Sequence, residues 1–103
     1  MKYVLIRTDK ADDQLSNVIH YIAADSGDVN IALAYLDKIE AAVMQLEDFP
    51  YKGVQPRYSI LRRQGYRILI VERHLIFYKV NEAEKVVCVY AIIDGRREYR
   101  SLI

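Results

Sequence analysis

The sequence predicts an α+β domain: one N-terminal strand, an antiparallel two-helix hairpin, and then a meander of three to four antiparallel strands. Apolar residues recur at helical spacing between residues 11 and 46, and the period changes to that of strands after Pro50. The links between the later apolar runs are short, which indicates antiparallel neighbours. With 103 residues and no repeat or Pro/Gly/Ser-rich linker, the chain is expected to form a single domain over residues 1–103.

The composition is typical of a globular protein without metals. Hydrophobic residues make up 52% of the chain and charged residues 28%. No apolar run is long enough to cross a bilayer, and the start of the chain lacks the pattern of a signal peptide. Cys88 is the only cysteine, and His20 and His74 are the only histidines, so an internal disulfide is excluded and a zinc site is not expected. We therefore expect a cytoplasmic protein with no cofactor and no membrane contact.

The formal net charge of +1 is unevenly distributed along the chain. Residues 1–48 contain four basic and nine acidic residues, a net charge of −5, whereas residues 49–103 contain 11 basic and five acidic residues, a net charge of +6. A basic second half is typical of a surface that meets phosphate groups or an acidic partner. Acidic helices and basic strands without any binding role would give the same pattern.

The spacing of apolar residues changes near Thr8 and indicates a first strand followed by a first helix. Tyr3–Ile6 is a short apolar run of strand type. Thr8 or Asp9 is placed to cap the helix, because acidic side chains follow in its first turn. A single helical stripe comes next, formed by Ala11, Leu15, Val18 and Ile22. Ser26-Gly27 is expected to end this helix.

The second helix has the most regular pattern in the chain. Asp28 or Asn30 is expected to start it. Its apolar face is formed by Ala32, Leu36, Ile39, Val43 and Leu46. Pro50 is expected to stop the helix, since proline disfavours helical geometry in the residue before it.

The residues after Pro50 predict a loop and then strands. Residues 51–57 are expected to form the loop, and Ser59–Arg63 a short strand. Three runs rich in β-branched and aromatic residues predict the meander: Tyr66–Val71, His74–Val80 and Val86–Ile93. Glu72-Arg73 is a two-residue connection of hairpin type, and Asn81–Lys85 is a longer one.

Strand alternation assigns the side chains of residues 66–71 to two faces of the sheet. One face carries Tyr66, Ile68 and Ile70, and the other carries Arg67, Leu69 and Val71. One face must cover the helices, and the other is expected to be partly covered because the strands are apolar at nearly every position. Arg67 is therefore expected to be a cation held mid-sheet, which is costly unless an anion meets it.

Three segments of the sequence, taken in order, carry a family resemblance. The first is helical and runs from Asp13-Gln14-Leu15 through His20-Tyr21-Ile22-Ala23 to Phe49-Pro50. The second comprises residues 65–71 and 75–80, and the third is Gly95-Arg96-Arg97-Glu98-Tyr99. Together they cover nearly the whole chain, which resembles the RelE/ParE superfamily of toxins from bacterial type II toxin–antitoxin modules. The resemblance implies the order β-α-α-β-β-β.

The resemblance implies two activities that share one fold. RelE-like members enter the ribosomal A site and cut messenger RNA, whereas ParE-like members poison DNA gyrase and are not known to cut nucleic acid. Either activity implies a cognate antitoxin as partner, in a hetero-oligomer, and the free chain could also form a homodimer. A third hypothesis is a module that binds its antitoxin and is not toxic.

The resemblance also implies site residues. Metal-independent RNA cleavage needs a base at the 2′-hydroxyl, a proton donor for the leaving oxygen and cations around the phosphate. Arg67, Arg96 and Tyr99 match catalytic positions of RelE-like nucleases. Five further basic residues are expected to bind RNA: Lys52, Arg57, Arg62, Arg63 and Arg97. Asp94 stands where many members have a histidine, and no metal ligand is expected.

Several of these residues also have a purely structural interpretation. Arg67 would then pair with an acid such as Glu72 or Asp94. Tyr99 would lie over the core as an amphipathic side chain. His74 is expected to be a half-exposed structural histidine.

Two features lie outside the candidate site. Cys88 lies in an apolar strand and is expected to be a small buried residue, not a nucleophile. The basic tail ends in Leu102 and Ile103, which are expected to dock on the domain. Basic residues beside exposed apolar strand would also receive the acidic or amphipathic segment of an antitoxin.

The sequence alone narrowly favours ribosome-dependent RNA cleavage over gyrase poisoning. The helical half, around Tyr21 and Phe49, is more ParE-like. The basic second half and the presence of Arg67, Arg96 and Tyr99 favour the nuclease.

Overall fold

Four strands form a single sheet in the order β1-β4-β3-β2. The computed structural model describes residues 2–97. The strands are β1 (Val4–Arg7), β2 (Arg67–Val71), β3 (His74–Asn81) and β4 (Val86–Asp94). The meander β2-β3-β4 is antiparallel, as predicted, and β1 joins its far edge by pairing in parallel with β4.

Two helices connect β1 to the meander and form a layer on one face of the sheet. Helix α1 spans Asp9–Ser26 and α2 spans Val29–Met44, followed by a short 3-10 turn at Gln45–Glu47. The side chain of Thr8 caps α1 by accepting a hydrogen bond from the backbone N–H of Ala11 at 3.1 Å. Gly27 ends α1 in the left-handed conformation, with φ of 70°. These boundaries confirm the predicted helical hairpin.

The main hydrophobic core lies between this helical layer and the sheet. It comprises the buried residues Ala11, Leu15, Ile39, Val43, Leu46, Leu69, Val71, Ile76, Tyr78, Val87, Val89 and Ile92. Tyr78 is completely buried there, and its hydroxyl accepts a hydrogen bond from Gly53 N at 2.9 Å. Burial of each large side chain contributes roughly 2 kcal/mol, so this layer is the main source of stability.

The segment Ser59–Arg63 forms a short helix, α3, on the other face of the sheet, so the predicted short strand is wrong. Leu61 of α3 is buried against Ile68, Phe77, Ala91 and Ile93. The Arg62 guanidinium fixes the helix by donating to the carbonyl oxygens of Pro56 and Arg57, each at 2.8 Å. Five residues are too few for a helical period to be visible in the sequence, and these tertiary contacts decide the conformation.

Within the described residues 2–97, helix α3 covers only part of this face, and no other element covers the β1–β4 part. Leu5 and Val87 point into the main core, so their strand neighbours point the other way. We call this uncovered surface the open face; it is formed by Val4, Ile6, Val86, Cys88 and Tyr90. Val4 is 58% exposed and Ile6 is 48% exposed. Cys88 is partly exposed, which corrects its expected burial.

Strand β2 lies at the edge of the sheet, so the expected mid-sheet position of Arg67 is wrong. Arg67 opens this strand. The predicted alternation is correct: Leu69 and Val71 pack on the helical side, and Ile68 packs on the α3 side. The predicted two-residue connection at Glu72-Arg73 is also present, since Val71 pairs directly with His74.

The last described residue is Arg97. The expectations for Tyr99, Leu102 and Ile103 therefore lie outside the described residues. Within residues 2–97, no helix is long and apolar enough to span a bilayer. Within the same residues, no three His, Cys, Asp or Glu side chains are placed to hold a metal ion.

Candidate functional site

Two predicted site residues, Arg62 and Arg67, lie near the start of β2 beside the loop after α2. We call this cluster the Arg67 corner and define it as Tyr51, Gly53, Arg62 and Arg67. The Arg67 Nη2 donates to the carbonyl oxygens of Tyr51 at 3.0 Å and Gly53 at 2.7 Å. Its guanidinium carbon lies 5.5 Å from the centre of the Tyr51 ring. Arg67 therefore holds the loop after α2 against the sheet, and it pairs with neither Glu72 nor Asp94.

A second set of contacts fixes the loop that Arg67 holds. The Tyr51 hydroxyl donates to the carboxylate of Glu82, which also accepts from the Tyr3 hydroxyl at 2.5 Å and from Lys85. Hydrogen bonds from Lys85, Tyr3 and Tyr51 lower the pKa of Glu82 to about 2. The charged carboxylate thus joins the β3–β4 turn, the residue before β1 and the loop after α2.

The basic residues predicted to bind RNA divide into two groups. Arg62 lines a cavity of about 130 Å³ together with Arg67, which was predicted to be catalytic. Lys52 lies on the same loop and donates to Gln45. Arg57 lies over the ring of Tyr58, with 4.9 Å between the guanidinium carbon and the ring centre. Arg63 is exposed on α3, and Arg97 lies apart from this group, after the last strand.

The second cluster lies at the opposite end of the hairpin, in a cavity of about 320 Å³ between α1 and the ends of β3 and β4. We call it the His74 cleft. Its polar lining includes Gln14, Asn17, Arg73, His74, Asp94, Arg96 and Arg97. Tyr21, which is 58% exposed, stands at its margin. The cleft combines an imidazole with three arginines.

His74 is buried, with 5% of its surface exposed, so its expected half-exposure is wrong. Its Nδ1 lies 2.6 Å from the Tyr35 hydroxyl, within hydrogen-bonding distance. The same hydroxyl is 3.2 Å from the carbonyl oxygen of Val71. Burial lowers the pKa of His74 below its ordinary value, although the nearby Asp94 carboxylate acts in the opposite direction. The imidazole is therefore neutral near pH 7 and ties α2 to the β2–β3 hairpin.

Asp94 organises the charged side of the cleft. It accepts a hydrogen bond from Arg96 Nη2 at 2.9 Å, and Arg73 Nε lies 3.7 Å away. The Arg96 side chain holds the pKa of Asp94 well below its usual range. Arg96 itself remains 70% exposed at its side chain. The residue that stands in place of the family histidine thus orients the arginine beside it.

The structure places Arg67 and Arg96 in different clusters. In the strand register Arg67 pairs with Tyr78, whereas His74 pairs with Val71 and Asp94, four positions further along β2. Four strand residues span about 13 Å, before any sideways separation between strands is added. Arg67 therefore lies at the opposite end of β2 from the His74 cleft, which contains Arg96, and Tyr99 lies outside the described residues.

His74 and Arg73 are the cleft residues that the sequence interpretation missed. The short Glu72-Arg73 connection is the sequence feature from which their position could have been predicted. A two-residue turn fixes the register of β2 and β3 and so places His74 at the end of the hairpin. The pairing of His74 with Asp94 follows from the β3–β4 register, which includes an irregularity between Phe77 and Tyr78. Because of this irregularity, counting residues back from the β3–β4 turn does not give the pairing of His74 with Asp94.

Comparison with known protein families decides the identity. Residues 5–99 match the family model described as the ParE toxin of type II toxin–antitoxin systems, parDE. The chain belongs to this family. No curated protein sequence matches it.

Two solved structures share the fold of this ParE-family toxin. A chain of the chromosomal ParDE toxin–antitoxin system from P. aeruginosa superposes with a TM-score of 0.74 at 20% identity, covering 90% of this chain and 96% of that one. A chain of the toxin–antitoxin complex RelBE2 from Mycobacterium tuberculosis gives a TM-score of 0.63 at 16% identity, covering 91% and 99%. These structures confirm the α+β prediction, and the family supports a cognate antitoxin as partner.

Proposed function

We propose that this ParE-family toxin acts in the cytoplasm by poisoning DNA gyrase and does not cut RNA. This is the alternative that the sequence interpretation ranked second. The family match over residues 5–99 supports it. Both sequence-predicted activities are inhibitory, and a cognate antitoxin would restrain either of them.

The observation that carries the proposal is the position of Arg67. RNA cleavage without a metal needs cations around the oxygens of one phosphate, with a base in hydrogen-bond reach of the 2′-hydroxyl. Arg67 donates instead to two loop carbonyls, and four strand positions, about 13 Å, separate it from Val71, which pairs with His74 at the other end of the hairpin. This separation supports a structural role for Arg67 over a catalytic one.

Ribosome-dependent cleavage is the competing function, and one observation favours it. The His74 cleft brings a neutral imidazole close to Arg73, Arg96 and Arg97. A neutral histidine accepts protons, and arginines stabilise a phosphate. Cleavage at this site would use Arg96 and Tyr99 as sequence-predicted catalytic residues but would leave Arg67 in a structural role.

Dual pulse-labelling after tightly controlled induction separates the two functions. Methionine and thymidine incorporation are followed in the same culture, with co-induced antitoxin as the control. We expect thymidine incorporation to fall first, because a poisoned gyrase blocks replication. An early collapse of methionine incorporation would contradict the proposal and favour the ribosome. Unchanged incorporation of both labels would identify the chain as a non-toxic module and would also contradict it.

A further inference from the structure

The charged groups of the His74 cleft leave an excess of positive charge at its surface. Asp94 accepts hydrogen bonds from the backbone N–H and from the side chain of Arg96, each at 2.9 Å, and Arg73 Nε lies 3.7 Å away. The carboxylate of the cleft is therefore already occupied by groups of this chain. Arg73, Arg96 and Arg97 line the cleft with Asp94, three positive charges against one negative, which is a net charge of +2. This charge favours an anionic ligand.

Two neutral side chains of the cleft are oriented by hydrogen bonds to groups behind them. Gln14 Oε1 accepts from Ile92 N at 2.8 Å, so the amide NH2 of Gln14 is left to donate. The Tyr35 hydroxyl donates to Val71 O at 3.2 Å and lies 2.6 Å from His74 Nδ1. Because a hydroxyl has one proton, both contacts are satisfied when His74 Nδ1–H donates to Tyr35. The other ring nitrogen, Nε2, then carries a lone pair, and no group among residues 2–97 donates to it.

The lone pair of His74 Nε2 distinguishes between classes of anion. His74 is neutral near pH 7 because burial lowers its pKa; the Asp94 and Glu72 carboxylates act against this shift, and the Arg73 and Arg96 guanidinium groups act with it. The proton of a hydrogen bond at Nε2 must therefore come from the ligand. A phosphate monoester, whose second pKa is about 6, supplies such a proton, whereas a phosphodiester or a sulfate does not. The cleft thus favours a terminal phosphate over the backbone of a nucleic acid.

The rest of the lining is apolar and extends beyond the space that a phosphate group occupies. Val18 and Ile22 of α1 and Ile93 of β4 belong to it, and Tyr21 stands at the margin of the cleft with 58% of its surface exposed. The cavity volume of about 320 Å³ lies at the lower end of the range of small-molecule sites, which begins at roughly 300 Å³. Exposed tyrosine rings stack on nucleobases. A phosphate carried by a nucleoside therefore matches both the polar and the apolar part of the lining.

We propose that the His74 cleft binds the terminal phosphate of a nucleoside monophosphate. Arg73 and Arg97 pair with the phosphate oxygens, together with the Gln14 amide. His74 Nε2 accepts the proton of the phosphate, and the ring of Tyr21 stacks on the base. A free nucleotide and the phosphorylated end of a nucleic-acid strand both provide this chemistry. The inference does not depend on gyrase as the target, and its tests contain no gyrase.

Titration calorimetry with two matched ligands tests the site. Free toxin is recovered from its antitoxin complex by denaturation and refolding, and its helix content is checked by circular dichroism. The ligands are adenosine 5′-monophosphate and its phosphate methyl ester, which differ in the ionisable proton of the phosphate. We expect the monophosphate to bind about 10-fold more tightly, because only its phosphate forms the hydrogen bond to His74. Equal affinities for the two ligands would overturn the proposal.

Proton uptake on binding gives a readout that attraction between charges alone does not produce. At pH 7 the monophosphate is mostly a dianion, so the complex must take up a proton from the buffer to form the hydrogen bond at Nε2. Titrations in buffers of different ionisation enthalpy measure this uptake. We expect close to one proton per bound monophosphate and none for the methyl ester. Equal proton uptake for both ligands would contradict the proposal.

Substitutions separate the cleft from the basic surface as a whole. We expect Arg73→Gln to weaken binding of the monophosphate about 10-fold, because it removes a charge-assisted hydrogen bond. Arg63→Gln is the matched control, since it removes the same charge from an exposed position on α3, and it should leave binding unchanged. Tyr35→Phe removes the hydroxyl that keeps the imidazole proton on Nδ1 and should bring the affinities for the two ligands closer together. Equal weakening by Arg73→Gln and Arg63→Gln would overturn the proposal.

Two oligonucleotides distinguish the sources of the phosphate. They have the same sequence and end in either a 5′-phosphate or a 5′-hydroxyl. Tighter binding of the phosphorylated oligonucleotide than of adenosine 5′-monophosphate would support the proposal and assign the cleft to strand ends, and the reverse order would support it and assign the cleft to free nucleotides. Equal binding of both oligonucleotides, at an affinity above that of the monophosphate, would show that the cleft recognises phosphodiesters and would overturn the proposal.

Discussion

The Arg67 corner and the His74 cleft hold arginines in opposite ways. Arg67 donates to two main-chain carbonyls of the loop after α2. Arg96 donates to the carboxylate of Asp94 and keeps most of its side chain in solvent. Both residues were predicted to be catalytic because they match catalytic positions of RelE-like nucleases. The presence of an arginine at a family position therefore does not by itself indicate a binding role. The group that accepts its hydrogen bonds and the exposure of its side chain are the properties that distinguish a structural arginine from one available to a ligand.

The largest expected effect on stability is that of a substitution at Gly53. A Cβ on this residue would lie 2.6 Å from Ile68 O and 2.6 Å from Tyr78 Oη. Because Ile68 O is backbone and Tyr78 is buried, neither can move easily, and we expect Gly53→Ala to lower the free energy of unfolding by about 3 kcal/mol. Urea denaturation measures this.

The matched control for Gly53→Ala lies in the other region. A Cβ on Gly95 would meet Arg73 O at 3.0 Å and the Leu75 side chain at 3.4 Å, which is a milder contact. We expect Gly95→Ala to lower the free energy of unfolding by about 1 kcal/mol. An equal loss of unfolding free energy for Gly53→Ala and Gly95→Ala would show that the Arg67 corner is not the more closely packed region.

Removal of the Arg67 side chain tests its structural role. Arg67→Ala leaves the carbonyls of Tyr51 and Gly53 without their donor, and we expect a loss of about 2 kcal/mol in unfolding free energy. The exposed Arg63→Ala is the control and should leave stability unchanged. Growth inhibition by Arg67→Ala should follow the amount of folded protein. Loss of toxicity in a variant that is fully folded at the growth temperature would return Arg67 to the catalytic set.

The stability of the His74 cleft should depend on pH. Burial keeps the pKa of His74 below its ordinary value of 6.5, so the unfolded chain binds a proton at a pH where the folded protein does not. Stability from this residue is therefore present above pH 6.5 and is lost as the pH falls. The slope cannot exceed about 1.4 kcal/mol per pH unit.

Comparison of the wild type with His74→Gln isolates this contribution. Denaturation at pH 7 and pH 5 should show a smaller loss of stability in the variant than in the wild type. An identical pH dependence in the two proteins would mean that protonation of His74 is not coupled to folding.

The smallest expected effect is at Arg96. Its side chain is exposed, so Arg96→Ala should leave the thermal midpoint unchanged. The same substitution should raise the pKa of Asp94 toward the usual range of a carboxyl group, because the Arg96 hydrogen bonds lower it. Carbon-detected NMR titration of the Asp94 carboxyl measures this pKa. If the pKa of Asp94 is the same in Arg96→Ala as in the wild type, groups other than Arg96 lower it.

Local patterns correctly predicted the helices α1 and α2 and the β2–β3 hairpin. Thr8 and Gly27 act at the ends of α1 as their residue types indicate, and the stripe that contains Ile39 and Val43 faces the core. The two-residue link at Glu72-Arg73 correctly predicted the β2–β3 hairpin. These features depend on neighbours within a few residues, which a sequence pattern contains.

Features that depend on distant residues were not predictable from the same patterns. The position of β2 at the sheet edge follows from the pairing of β1 with β4, in which Val4 pairs with Val86, 82 positions further along the chain (86 − 4). Arg67 appeared to be mid-sheet because that pairing was unknown. Helix α3 and the burial of His74 likewise depend on tertiary contacts of Leu61 and Tyr35. The Arg67 corner and the His74 cleft could therefore be distinguished only once the strand register was available.

The most direct test of the central claim uses purified components. DNA gyrase, ATP and supercoiled plasmid are incubated with the toxin, and linear DNA is measured after detergent and protease treatment. The account predicts that linear DNA accumulates with toxin concentration and disappears when antitoxin is added first. Absence of linear DNA, together with cleavage of messenger RNA on purified ribosomes by the same preparation, would contradict it.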